Sequence, residues 1–144
     1  MLAVSLTSDI VAYLKTQSTV TDVVGTGANA RIRPEVLHQS ETLPAIVIND
    51  TDGFSFKNLS GASGFAMTRI QLDAVAVTKA AAESLREILR LVTINKRGTV
   101  GSFSISEFSD PQRTGRYEPS LEGKALGRYR AIITYSVYHS EATP

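Results

Sequence analysis

Cysteine and tryptophan are both absent from the 144 residues, and only two histidines occur. Without cysteine there is no disulfide framework and no thiolate metal site. That suits a protein assembled in a reducing cytoplasm. His38 and His139 each lack a second ligand or an oriented partner at helical or hairpin spacing, so both read as solvated surface histidines. An excess of one charge is missing too: 15 basic residues face 14 acidic ones, for a net charge of +1. The overall field therefore gives no reason to expect nucleic acid or an anionic membrane as partner. No stretch approaches the ~20 apolar residues that span a bilayer. The opening MLAVSLTSDI has no basic leader, and Asp9 interrupts its apolar run. The expectation is a soluble chain that is not exported.

What is present is order of a mechanical kind. In Arg69–Leu91 a period-two pattern passes directly into a helical one. Ile70, Leu72, Ala74 and Ala76 alternate with Arg69, Gln71, Asp73 and Val75, as in a strand with one buried face. Thr78 stands at the helix N-cap position. Ala81, Leu85, Ile88, Leu89 and Val92 then form an apolar stripe, with Lys79, Glu83, Arg86, Glu87 and Arg90 opposite. The length fits a single domain over 1–144, large enough to bury about 68–70% of its unfolded surface.

Other elements follow from the same rules. Leu6–Gln17 reads as an amphipathic helix, stopped by Gly25-Thr26-Gly27. Arg31-Ile32-Arg33-Pro34 reads as a short or edge strand, since proline cannot donate to a ladder. Leu43–Asn49 is a continuous apolar run expected to be covered on both faces. Lys57–Gly64 and Asp110–Gly127 read as loops rich in small and polar residues. Between these loops and the helix exit, Ser102–Phe108 is a strand whose facing the alternation leaves open. Arg128–His139 is the longest strand, with Tyr129, Ala131, Ile133, Tyr135 and Val137 on one face. The fold class is α+β: one mixed, mainly antiparallel sheet with two helices packed on it, in the order α-β-β-β-α-β-β.

Reactive motifs do not assemble. Gly25-Thr26-Gly27-Ala28-Asn29-Ala30 has the letters of a dinucleotide fingerprint, but a helix precedes it and an extended segment follows, so it reads as a turn. Gly123-Lys124-Ala125 lacks the glycine and hydroxyl residue of a phosphate loop, because Glu118 and Ala125 occupy those positions. Gly61-Ala62-Ser63-Gly64 misses the spacing of a nucleophile elbow. Asp50 and Asp52 read as turn residues in place of a cation site. No catalytic residue, cofactor or metal is expected. The strongest surface feature is basic and aromatic: Arg113, Arg116 and Tyr117, with Lys124 and Arg128 nearby, are residue types that anchor interfaces.

Taken in order, these segments resemble the tail terminator (tail completion) family of long-tailed bacteriophages and of related prophage or gene-transfer particles. The resemblance runs through the N-terminal helix, Arg31-Ile32-x-Pro34, Leu43-Pro44-Ala45-Ile46-Val47-Ile48, the Arg69–Ala76 strand with Ala81-x-x-x-Leu85-Arg86, and Gly127-Arg128-Tyr129-Arg130 leading to Tyr135-Ser136-Val137-Tyr138. It implies a ring, usually a homohexamer, in the virion tail, assembled in the host bacterial cytoplasm. Such a ring stops tail-tube polymerisation and helps join tail to head. The implied partners are further copies of the chain, the tail-tube protein, the head–tail connector proteins, and DNA passing through the lumen without specific binding; no membrane is implied.

Lys57, Asn58, Arg113, Arg116, Tyr117, Lys124 and Arg128 are the candidate oligomer or tube contacts. Removing Asp110–Gly127 should then abolish assembly and leave the monomer folded. Two other readings fit parts of the same pattern. One is a head–tail connector or neck protein; the other, of a different class, is a sheet-based nucleic-acid-binding module stacking bases on Tyr129 and Tyr135.

Overall fold

The computed structural model describes residues 6–27, 30–34, 42–58, 61–94, 96–101, 103–118 and 127–140; at 52–58, 61–65 and 110 it describes the backbone alone. Its elements are α1 (Leu6–Leu14), α2 (Ser18–Val24), β1 (Ile32–Pro34), β2 (Ala45–Asn58), β3 (Gly61–Ala76), α3 (Lys79–Thr93), β4 (Gly98–Val100), β5 (Phe103–Glu118) and β6 (Arg128–Ser140). The fold is α+β, as the alternation of patterns predicts. The six strands form one sheet in the order β1-β2-β3-β6-β5-β4. All pairings are antiparallel except β1 with β2.

Two short elements escape the sequence pattern. The expected helix ends at Leu14, short of Gln17, and a second helix that the pattern does not announce follows at Ser18–Val24, with Val20 and Val24 in the core. The three-residue β4 pairs with Phe103–Ile105 at the sheet margin. The sheet curls so that both three-residue edge strands, β1 and β4, reach α1. At that seam Gly101, with φ +59°, comes so close to the Asp9 carboxyl that a Cβ would overlap it.

The strand and the helix form where their patterns place them, but the strand is covered on both faces, not one: Asp73 and Val75 are buried too. Thr78 is extended (φ −118°, ψ 154°), and its hydroxyl accepts from Ala81 N–H at 3.2 Å. This satisfies one orphan donor of the first turn. Ala82, Leu85, Leu89 and Thr93 are the buried positions of α3, with Ile88 and Val92 packed beside them. The stripe thus starts at Ala82; Ala81 is exposed. Below it lie Ile70, Leu72, Ala74, Ala131, Ile133, Tyr135 and Val137, all in one core with residues of α1 and α2.

Polar groups pin this core at two points. The Tyr13 hydroxyl donates to the Val92 carbonyl (2.6 Å), satisfying an acceptor of α3's last turn. Thr93 Oγ1 bonds to the Tyr135 hydroxyl at 2.6 Å and to the Leu89 carbonyl at 2.8 Å. Burial pushes both tyrosine hydroxyls up from their usual pKa; for Tyr135 the Thr93 bond opposes part of that shift.

Leu43–Asn49 is covered on both faces as expected, with Ala45, Ile46, Val47 and Ile48 all fully buried. The Leu43–Pro44 peptide is cis. The facing of the 103–108 strand is settled by a bulge between Ile105 and Glu107. One extra residue there puts Phe103, Ile105 and Phe108 all into the core, which strict alternation cannot do.

Four expectations need correction. The segment expected as a loop from Asp110 is strand through Glu118, paired with Arg128–Thr134 of β6. Removing it would therefore strip a ladder from β6 instead of trimming a loop. Lys57 and Asn58 are also strand, paired with Ala62 and Gly61. Asp50 and Asp52 flank a bulge within β2, so they are not in a turn. Finally, His139 is buried: Thr68 Oγ1 lies 2.7 Å from Nε2, Nδ1 donates to the Ser140 carbonyl at 2.6 Å, and Phe103 meets the ring edge-on. His38 lies outside the described residues.

Candidate interaction surface

Of the residues singled out from sequence, Arg113, Arg116 and Tyr117 lie together on β5, and Arg128 lies on β6 opposite Glu118. Lys124 lies outside the described residues. Lys57 and Asn58 sit at the far end of the strands, beyond the Phe65–Ser140 pair, whereas Tyr117 pairs with Tyr129 and Tyr129 with Ala76. The fold thus brings the β5 residues together and places Lys57 and Asn58 at the opposite end of the sheet.

Two arrangements are built on the Arg113–Arg130 region, one on each face. Facing the helices, the start of α3 and the end of β5 enclose an open trough of about 670 Å³. Its floor includes Gly115 and Ala131, cross-strand partners whose small side chains leave the space. Its walls carry Lys79, Arg86 and Arg113 with one carboxylate, Glu83, which Lys79 approaches to 3.9 Å; Arg116 and Arg130 also border it, from strand positions that face the other side of the sheet. Arg86 spans the trough and donates to the Thr114 carbonyl at 2.7 Å. Tyr117 closes one end, 52% exposed and tilted against Tyr129 with ring centroids 4.9 Å apart.

On the opposite face lies an ionic network that local sequence spacing does not reveal. The Arg130 guanidinium bonds Asp73 Oδ2 (2.8 Å) and Glu118 Oε1 (3.1 Å). Arg128 donates to the same Glu118 oxygen at 3.0 Å, and Arg116 approaches the other at 3.6 Å. Gln71 donates to Asp73 Oδ1 at 2.8 Å. The network ties β3, β6 and β5 together at their shared end. Burial alone would raise the Glu118 pKa, but the bonds and charges of Arg130 and Arg128 outweigh it and hold the carboxyl below its usual range. Burial likewise works against the charge on Arg130, and its two carboxylate partners more than restore it.

This network also fixes the hairpin end. A Cβ on Gly127 would overlap the Tyr117 hydroxyl and the Glu118 carbonyl, so the chain enters β6 tight against the end of β5. Arg128, expected as a contact residue, is bonded to Glu118. Tyr135 is fully buried, which removes it as a base-stacking platform.

The edges of the sheet complete the surface. β4 covers β5 only at Phe103–Ile105, so from Glu107 to Glu118 the strand has a described strand neighbour on one side only. β1 covers β2 only at Ile46–Ile48, and from Asn49 onward β2 is in the same condition. Residues Pro111 to Tyr117 are all exposed. Such edges are templates for pairing with another chain.

No protein-family model and no curated protein sequence matches the chain. Among solved structures it is similar to a chain of the virion of a native gene transfer agent particle. The two align with a TM-score of 0.67 at 12% identity, over 93% of this chain and 95% of the other. At that identity the likeness establishes a shared fold across nearly the whole of both chains.

Proposed function

We propose that this protein is a non-enzymatic structural component of a phage-like particle, acting as a tail terminator: a ring that ends tail-tube growth and presents a surface to the head. The observation that carries the reading is a fold shared from end to end with a chain of a gene transfer agent virion. The sequence resemblance to tail terminators points the same way. So do the two one-sided strand edges, on opposite margins of the sheet, because a closed ring needs two different surfaces on each subunit.

The test is assembly. Tail-tube protein polymerised with this chain should give tubes of limited length, and electron microscopy should show extra density at one end. Tubes that grow to the same length with and without it would refute termination. A head–tail connector role remains the second reading, since it also calls for a ring; binding to connector proteins without any effect on tube length would favour it.

A further inference from the structure

We infer that neighbouring copies join head to tail, with the acidic edge of β2 on one copy seated at the basic trough between α3 and β5 of the next. The inference rests on the ring reading above and names its interface.

Three features of the molecule converge on this pairing. The first is charge. The helix side of the trough carries Lys79, Arg86 and Arg113, and even with Glu83 beside Lys79 and the charge of Glu87 acting on Arg113 it keeps an excess of positive charge. The open edge of β2 begins Asn49-Asp50-Thr51-Asp52, and the Asp50 side chain is exposed. The second is face. Ile46 and Ile48 point to the helices, so Asp50, two residues on and paired with Ile70, points the same way. Arg113 pairs with Ile133, another helix-facing position. Both charges therefore lie on one side of the sheet.

The third is height. Asp50 is level with Ile70 and, through it, with Tyr135, while Arg113 is level with Ile133, two residues along β6. A neighbour placed edge to edge needs little sliding to bring them together. The edges lie at opposite margins of the six-stranded order, so the contact is heterologous and propagates until it closes. Tyr117 and the arginines are residue types enriched at the energetic centre of such interfaces.

The lack of cysteine makes the test clean, because introduced thiols have no native competitor. The double variant Asp50→Cys/Arg113→Cys, oxidised mildly as the full chain, should give a covalent ladder of dimer, trimer and higher species on denaturing gels. Each single variant should stay monomeric. In parallel, Lys79→Glu/Arg113→Glu should lose the assembled species measured by light scattering. Mixing it with Asp50→Arg/Asp52→Arg should restore assembly, because the unchanged surfaces of the two variants match each other and so do the two reversed ones.

Two results overturn the inference, and they are distinguishable. An assembled wild-type ring with no ladder and no effect of charge reversal means the ring is built through other surfaces, leaving the proposed function intact. Cross-linked dimers from either single variant mean a symmetric contact, which cannot grow into a ring of this kind.

Discussion

The two faces of β6 hold the fold by opposite means. Ala131, Ile133, Tyr135 and Val137 lie in the apolar core under the helices. Arg130, Ile132 and Ser136 on the other face are also buried, yet there the central contact is an arginine between two carboxylates. An apolar face tolerates loss in proportion to the volume removed. A buried ionic face fails more abruptly, because removing one partner leaves the other charged and uncompensated. The same strand therefore carries a graded contact on one side and an all-or-none contact on the other.

The largest effect should come from breaking the ionic face. Arg130→Met leaves Asp73, only 2% exposed, without its cationic partner and with Gln71 alone bonded to it, and should cost about 3–5 kcal/mol in urea unfolding. The double variant Asp73→Leu/Arg130→Met should recover much of that loss. A double variant as unstable as the single one would show that the two faces do not differ in kind. On the apolar face, Leu85→Ala should cost about 2–5 kcal/mol, with the transition remaining cooperative.

A smaller loss, about 1 kcal/mol, is expected for Thr78→Ala, which removes the cap of α3 without touching either face. The smallest effect concerns acid. The Glu118 carboxyl is held below its ordinary pKa of 4.5 in the folded state, so its stabilisation is present above that value. It is lost as pH falls through the lower folded value. Glu118→Gln should flatten the acid limb of a thermal melting series, and an unchanged limb would remove Glu118 from the account.

This contrast also explains what the sequence revealed and what it hid. Ile70, Leu72, Ala74 and the α3 stripe were legible because one apolar face imposes a period. Thr78 was legible because a cap acts over three residues. Asp73 and Arg130 lie 57 residues apart, and nothing local marks them as partners. The end of β5 is hidden for a different reason. Residues 111 to 117 are all exposed, so no alternation is imposed, and Pro111 and Gly115 read as breakers. The surface residues Arg113, Arg116 and Tyr117 stand out by type alone; the trough that Arg113 and Tyr117 line needs α3 overhead, and α3 is distant in sequence.

The strand order has a consequence for synthesis. β6 lies at the centre of the sheet, between β3 and β5, but follows both in the chain. As the polypeptide leaves the ribosome, the inner margins of β3 and β5 must wait without partners until residues 128–140 arrive. Nearly all the pairing that joins the two halves of the sheet is thus formed late and at long range, which slows folding and leaves sticky margins open in the meantime. A chain stalled before β6 is a hazard to its neighbours, and one that completes β6 seals both margins in a single step.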